Sequence, residues 1–237
     1  ILCSANFKSA PNFAQRINVS ISLLIRLCND EHSDIRMVAC ENLDRIIRAL
    51  SGSYMAKIQL ELFEAIKQCN NIKSVRIALT RFAKLSVYIK PQKGKVYVAN
   101  LFPCLENLLS KPDDLLHETF SESLPKIIKS LGLFATDKEM KSLIKSIIEV
   151  LKSDSPVRRR CAAQNLSSIC TQNEKTEIFI DYVLNMVFDL IVPFNESLQS
   201  NVIVGALNGL KLLLPVYYGY FNKGKSTTSL DQILQIF

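Results

Sequence analysis

Apolar residues along the chain recur at the spacing of helices. Ile21, Leu24, Ile25 and Cys28 share one helical face, and so do Ile35, Val38, Ala39, Leu43, Ile46 and Ile47. Ile144, Ile147, Ile148 and Leu151 repeat the same i, i+3, i+4, i+7 pattern. The nearest approach to strand alternation, Lys95–Asn100 (KVYVAN), lies inside a longer helical pattern and reads as helix. Breakers divide the chain into helices over residues 11–28, 34–50, 54–69, 73–89, 93–110, 113–131, 137–152, 156–171, 174–192 and 196–214. Ser155-Pro156 supplies an N-cap hydroxyl and a proline at the first helical position, where no N–H is missed. Ser33-Asp34 supplies a cap and a first-turn carboxylate suited to the positive helix end.

The helices fall into pairs, and the second helix of each pair opens alike: Asp34-Ile35-Arg36, Ser74-Val75-Arg76, Leu115-Leu116-His117, Arg158-Arg159 and Leu198-Gln199. Residues 36, 76, 117, 159 and 199 are spaced by 40, 41, 42 and 40. A period near 41 with two helices per unit predicts an all-α fold, a HEAT-repeat α-solenoid. In such a fold antiparallel helix pairs stack as a right-handed superhelix, because one pair cannot bury both of its apolar faces alone. The pairs are 11–50, 54–89, 93–131, 137–171 and 174–214 within a solenoid over 1–221. Residues 222–229 read as a flexible loop and 230–237 as the start of a further helix, which makes the chain a fragment of a longer array. The recurrent opening has a local reason. Its polar residue caps the helix, and its arginine reaches the acid or carbonyls of the adjacent turn.

Composition narrows the function. The 237 residues include 2 His, 7 Cys and no Trp, with no CxxC, GxGxxG, HExxH or GxSxG. His32 sits in an acidic turn and His117 takes a position otherwise held by arginine, so both read as surface or packing residues. Asp113-Asp114 follows Pro112 at a helix start, where capping and dipole complementation account for both carboxylates. Asp189 and Lys211 break the longest apolar runs, so no membrane span is expected. No enzyme, cofactor or metal is expected either.

The net charge of +7 is local. Residues 1–110 hold 15 bases and 8 acids, whereas residues 111–237 hold 14 of each. No acid occurs between Glu64 and Glu106. From that stretch Lys73, Arg76, Arg81, Lys84, Lys90, Lys93 and Lys95 form the candidate partner-binding patch. Lys73, Arg76 and Lys84 fall near one face of a second helix. Such a patch would receive an acidic partner segment, another part of the same chain or an anionic surface. The 12 Phe and 7 Tyr sit at apolar helical positions and do not alternate with the bases, which argues against specific nucleic-acid binding.

Individual repeats resemble a known family. Ser33-Asp34-Ile35-Arg36-Met37-Val38-Ala39 is similar to the opening of the first full repeat in the amino-terminal HEAT domain of the huntingtin family. Leu60-Glu61-Leu62, Arg81-Phe82-Ala83, Pro91-Gln92-Lys93, Pro103-Cys104-Leu105, Pro125-Lys126-Ile127 and Ser155-Pro156 with Arg159-Arg160 follow in that family's order. The family's glutamine tract and proline-rich segment are absent, and the wording is that of a divergent invertebrate homologue. The resemblance implies a non-enzymatic cytoplasmic scaffold for protein–protein interaction in vesicle transport and autophagy, with a nuclear fraction allowed. It further implies a stable associated protein held between HEAT arrays. The alternative is a transport-receptor or tubulin-binding HEAT module. Against it stand the missing tryptophan and a charge patch opposite in sign to a transport receptor's acidic inner ladders.

Overall fold

The computed structural model describes residues 12–28, 30–49, 53–69, 71–172, 176–191 and 199–221. The expected loop 222–229 and helix start 230–237 lie outside the described residues. Within them the chain forms ten α-helices and no strand: α1 (Phe13–Leu27), α2 (Ser33–Ala49), α3 (Ser53–Gln68), α4 (Ile72–Leu85), α5 (Pro91–Leu109), α6 (Asp114–Leu131), α7 (Asp137–Leu151), α8 (Pro156–Gln172), α9 (Thr176–Phe188) and α10 (Ser200–Phe221). Short 3-10 turns follow α4 at Ser86–Tyr88 and α6 at Gly132–Phe134. The architecture is an α-solenoid of antiparallel helix pairs. It parts into two compact units, Ile1–Pro91 and Gln92–Phe237.

In the first unit α1 packs on α2, α3 packs on α4, and α1 also touches α3 and α4. Ile17, Ile21, Leu43, Ile58, Leu62, Val75, Leu79 and Phe82 are fully buried among them. Fully burying one such side chain contributes about 1.5–3 kcal/mol, so these few positions dominate the unit's stability. Gln59, also buried, donates from Nε2 to the Leu85 carbonyl at 2.9 Å and closes the end of α4. The apolar face expected on α2 is only partly covered. Ala39, Leu43 and Ile46 are buried, while Ile35 and Val38 are 40% and 51% exposed. Periodicity identifies an apolar face but not whether a neighbour covers it.

The second unit shows the repeat period as direct contacts. Helix α8 lies between α6 and α10, the second helices of adjoining pairs. Ser155 Oγ donates to Asp114 Oδ1 at 2.9 Å across 41 residues, and Arg160 Nη2 donates to Glu118 Oε1 at 3.2 Å across 42. Ser121 Oγ donates to Gln164 Oε1 at 3.1 Å across 43. One repeat therefore touches the next through side chains a single period apart. The first unit has the same step, since Arg81 Nη2 donates to the Cys40 carbonyl at 3.5 Å across 41 residues.

Local signals explain most helix starts. Ser155 Oγ accepts from Arg158 N at 3.3 Å and Asp113 Oδ1 from Leu116 N at 2.7 Å, which are the expected caps. Thr136 and Glu139 form a reciprocal capping box at the start of α7. At α2 the cap falls one residue earlier than expected: the His32 carbonyl accepts from Arg36 N at 3.1 Å, and Ser33 is already helical. Gln199 lies just before α10, its carbonyl accepting from Val202 N at 3.0 Å, so it does not share the position of Arg36 and Arg159. Helix α10 also runs past Pro215 to Phe221, beyond the expected end at 214. Pro215 and Lys211, the residue whose carbonyl loses its donor, are both exposed, so water can take the missing bond.

Residues Ser200–Tyr220 of α10 are long and apolar enough to cross a membrane by length and composition, with a mean hydropathy of 1.4. That departs from the expectation of no such segment. Packing accounts for part of the apolarity, because Ala206, Leu210, Leu213 and Tyr217 are buried and α10 lies on α8 and α9, while Val204, Leu207 and Tyr218 are exposed.

The approach of α10 needs a glycine. A Cβ on Gly205 would overlap the Leu151 carbonyl oxygen and lie 3.3 Å from Arg159 Cδ. On Gly209 it would make ordinary contacts, with Val187 Cγ1 at 3.4 Å and Leu151 Cδ1 at 3.7 Å. Gly205→Ala should therefore lose about 1–3 kcal/mol through forced displacement. Gly209→Ala should gain up to about 1 kcal/mol from helix propensity. Urea unfolding midpoints measure both, and shifts of the same sign would refute the close approach at Gly205.

Candidate interaction surface

The recurrent arginine folds back on its own repeat. Arg36 Nη1 donates to the carbonyls of Asp30 and Glu31, both at 2.8 Å. Arg159 Nη1 donates in the same way to Ser153 at 2.7 Å and Asp154 at 2.9 Å. In each case the acceptors lie six and five residues earlier, in the turn joining the two helices of a pair. His117 occupies the equivalent place and donates from Nε2 to the Lys111 carbonyl at 3.0 Å. Turn carbonyls facing inward would otherwise lack partners, and a charged donor supplies about 1.5–3 kcal/mol per bond. These residues build the frame on which the surface is displayed.

The structure separates the candidate basic residues. Asn71 caps α4, its Oδ1 accepting from Lys73 N at 2.8 Å, and so fixes where the helix face begins. Along α4 Lys73 and Lys84 are exposed and Arg76 is half-buried, with exposed Lys90 beyond the helix end. Arg81 does not belong to this surface. It is 8% exposed, its Nε pairs with Asp44 Oδ1 at 3.3 Å, and it ties α4 to α2. Position 81 falls between Ala78 and Leu85 on the flank of the buried face, where a long base can reach inward to an acid 37 residues back (81 minus 44). In the second unit Lys93 and Lys95, on the first turns of α5, are exposed.

Sequence reasoning missed an apolar pair beside these lysines. Val87 and Tyr88, in the 3-10 turn after α4, are 67% and 63% exposed. The turn breaks the helical period there and swings residues 87 and 88 outward. They lie two and three residues past Leu85, the last buried residue of α4.

Burial holds two of the thiols protonated. Burial pushes the Cys170 thiol up to about 12. Burial first, then a hydrogen bond to Cys40, pushes Cys28 to about 12. Neither supplies a thiolate nucleophile at neutral pH. Among the described residues the cysteines are free, and no group of three or more His, Cys, Asp or Glu is placed to hold a metal ion.

Comparison with known proteins fits this geometry. The family model "Huntingtin, N-terminal HEAT 1" matches residues 24–175, more than half of the chain. The chain belongs to the huntingtin family. It is 38% identical over 215 residues to huntingtin of Takifugu rubripes, covering 91% of this chain and 7% of that protein. It is 30% identical over 140 residues to the HD protein homolog of Dictyostelium discoideum, covering 58% of this chain and 4% of that one. This huntingtin-family chain thus spans a small fraction of the relatives' length. Solved structures of similar form include an engineered protein (16% identity, 91% and 88% of the two chains, TM-score 0.44). A designed armadillo repeat protein in complex with the peptide (KR)4 is similar at 12% identity over 88% of each chain, with a TM-score of 0.43.

His117 gives the repeat frame a pH dependence. Burial lowers its pKa below the ordinary 6.5 and Arg158 lowers it further, while the Lys111 carbonyl, Asp114 and Asp113 act the other way. Below about pH 6.5 the unfolded chain binds a proton that the folded chain refuses, so stability rises with pH through that window and levels off above it. Unfolding free energies between about pH 5 and 7.5 should show a slope of at most about 1.4 kcal/mol per pH unit from this group. His117→Gln should remove that part of the slope; an identical profile in the variant would show that His117 is not refused its proton.

Proposed function

We propose that this chain is a section of a non-enzymatic protein–protein interaction scaffold of the huntingtin kind, acting in the cytoplasm in intracellular vesicle transport and autophagy. The family supplies the scaffold; the observation that carries the binding role is the acid-free, lysine-bearing stripe on α4. Lys73 and Lys84 are exposed there and Lys90 beyond its end, and no Asp or Glu occurs between Glu64 and Glu106. An uncompensated stripe costs solubility nothing but steers anionic surfaces toward it. The partner of this reading is the acidic segment of a stable associated protein held between HEAT arrays. Another part of the same long chain and an anionic lipid surface are the competing occupants.

Arg81 is excluded from the test, because its loss would break the α2–α4 tie and confound binding with folding. The informative variant is Lys73→Glu, Lys84→Glu and Lys90→Glu together, made in the full-length parent protein. Affinity purification with mass spectrometry should return one stoichiometric protein partner from the wild type. Its affinity should fall about tenfold in the variant, mainly through slower association, with a weaker dependence on salt. Unchanged affinity and salt dependence would remove the stripe from the binding surface. Recovery of tubulin or transport cargo in place of a stoichiometric partner would favour the transport-type module.

A further inference from the structure

One turn of the first unit holds two apolar side chains outward on a fixed support. Ser86 Oγ donates to the Ala83 carbonyl at 2.9 Å, and Ile89 N to the Ser86 carbonyl at 3.1 Å. From α3, Gln59 Nε2 donates to the Leu85 carbonyl at 2.9 Å. Leu85, Ser86 and Ile89 are buried, so the turn is anchored at both ends. Val87 and Tyr88 between them are exposed. The pair is held in place and left bare.

The turn itself does not require that. The 3-10 turn after α6 has the same closing bond, Ala135 N to the Gly132 carbonyl at 3.2 Å. There the aromatic at the matching position, Phe134, is half-buried, and its ring lies where a Cβ on Gly94 of α5 would stand. An aromatic in this turn can therefore fold onto the first helix of its own pair. Tyr88 does not. An ordered, exposed Val–Tyr pair loses little conformational freedom when a partner covers it, and tyrosine meets apolar and polar groups alike.

The charges beside the pair identify what covers it. Lys84 lies three residues before Val87, one helical turn away on the same side. Past Tyr88 the buried Ile89 is extended (φ −69°, ψ 124°), and the chain emerges at exposed Lys90. Lys84 and Lys90 make no ion pair among the described residues. A cationic or wholly apolar partner would oppose or desolvate both ammonium groups. We propose that Val87 and Tyr88 anchor a partner peptide segment whose bulky apolar side chain is flanked by acids, the carboxylates meeting Lys84 and Lys90. This rests on the reading of the lysine stripe as a partner surface and adds an apolar contact that charge alone would not give.

Two fluorescent peptides test it on the full-length parent protein, one with Leu-Phe between runs of glutamate and the other with Ser-Ser in that place. Their charges are equal, so the wild type should bind the Leu-Phe peptide roughly tenfold more tightly. Added salt should weaken both and leave the ratio unchanged. Val87→Ser with Tyr88→Ser, at exposed positions, should remove the difference without loss of the Ser-Ser peptide. Lys84→Glu with Lys90→Glu should weaken both peptides alike. Equal affinities in the wild type, or a ratio that survives the serine variant, would overturn the anchor and leave the stripe standing. Peptides indifferent to the lysine variant would overturn the stripe, and the acidic partner with it. Phosphatidylserine vesicles bound through Val87 and Tyr88 in preference to the Leu-Phe peptide would give the pair to a membrane. Self-association abolished by the serine variant would give it to a second copy. Either result would also overturn the proposal.

Discussion

The fold depends on one recurring bond, in which a cationic or neutral donor near the start of three of the five second helices, α2, α6 and α8, reaches back to the preceding turn. Arg36 and Arg159 hold two turn carbonyls each, and His117 holds one. Without it, carbonyls at the elbow of a helix pair would have to stay solvated, and the angle between the two helices would be free to vary. With it, the angle is fixed by chemistry inside a single repeat, before any neighbour is present. Stacking then needs only matching faces, which is what allows repeats to be joined in series.

Contacts between repeats are built on that frame. Asp114 receives Ser155 and Arg158, Glu118 receives Arg160, and Ser121 meets Gln164, each across one period. Exposed pairs of this kind contribute at most about 1 kcal/mol each. Their register is more telling than their strength, because residues one period apart meet only if successive repeats are equivalent. Gly205 serves the same end: it lets α10 lie against the Leu151 carbonyl and over Arg159, so the last described pair seats on the clamp of the one before.

The sequence carried what depends on short range. Helix faces, the cap at Ser155 and the role of Asp113 were legible because each follows from residues within a few turns of one another, and the spacing of the arginines because it repeats with the helix pairs. The fate of Arg81 was not, since its partner Asp44 lies in another helix and only packing brings them together. The exposure of Ile35 and Val38 was hidden for a related reason: an apolar stripe looks the same whether covered or bare. Gln199 fitted the numerical period but not the helix start, so counting alone could not distinguish a cap from a clamp.

If a clamped repeat is closed on itself, damage to its clamp should stay local. Native-state hydrogen exchange of Arg159→Ala, with the neighbouring Arg160→Ala as control, tests this directly. Protection should fall in α7, α8 and the adjoining part of α10, leave α1 to α4 unchanged, and barely respond to Arg160→Ala. An even loss of protection across all helices, or equal effects from the two variants, would contradict an array assembled from self-closed repeats.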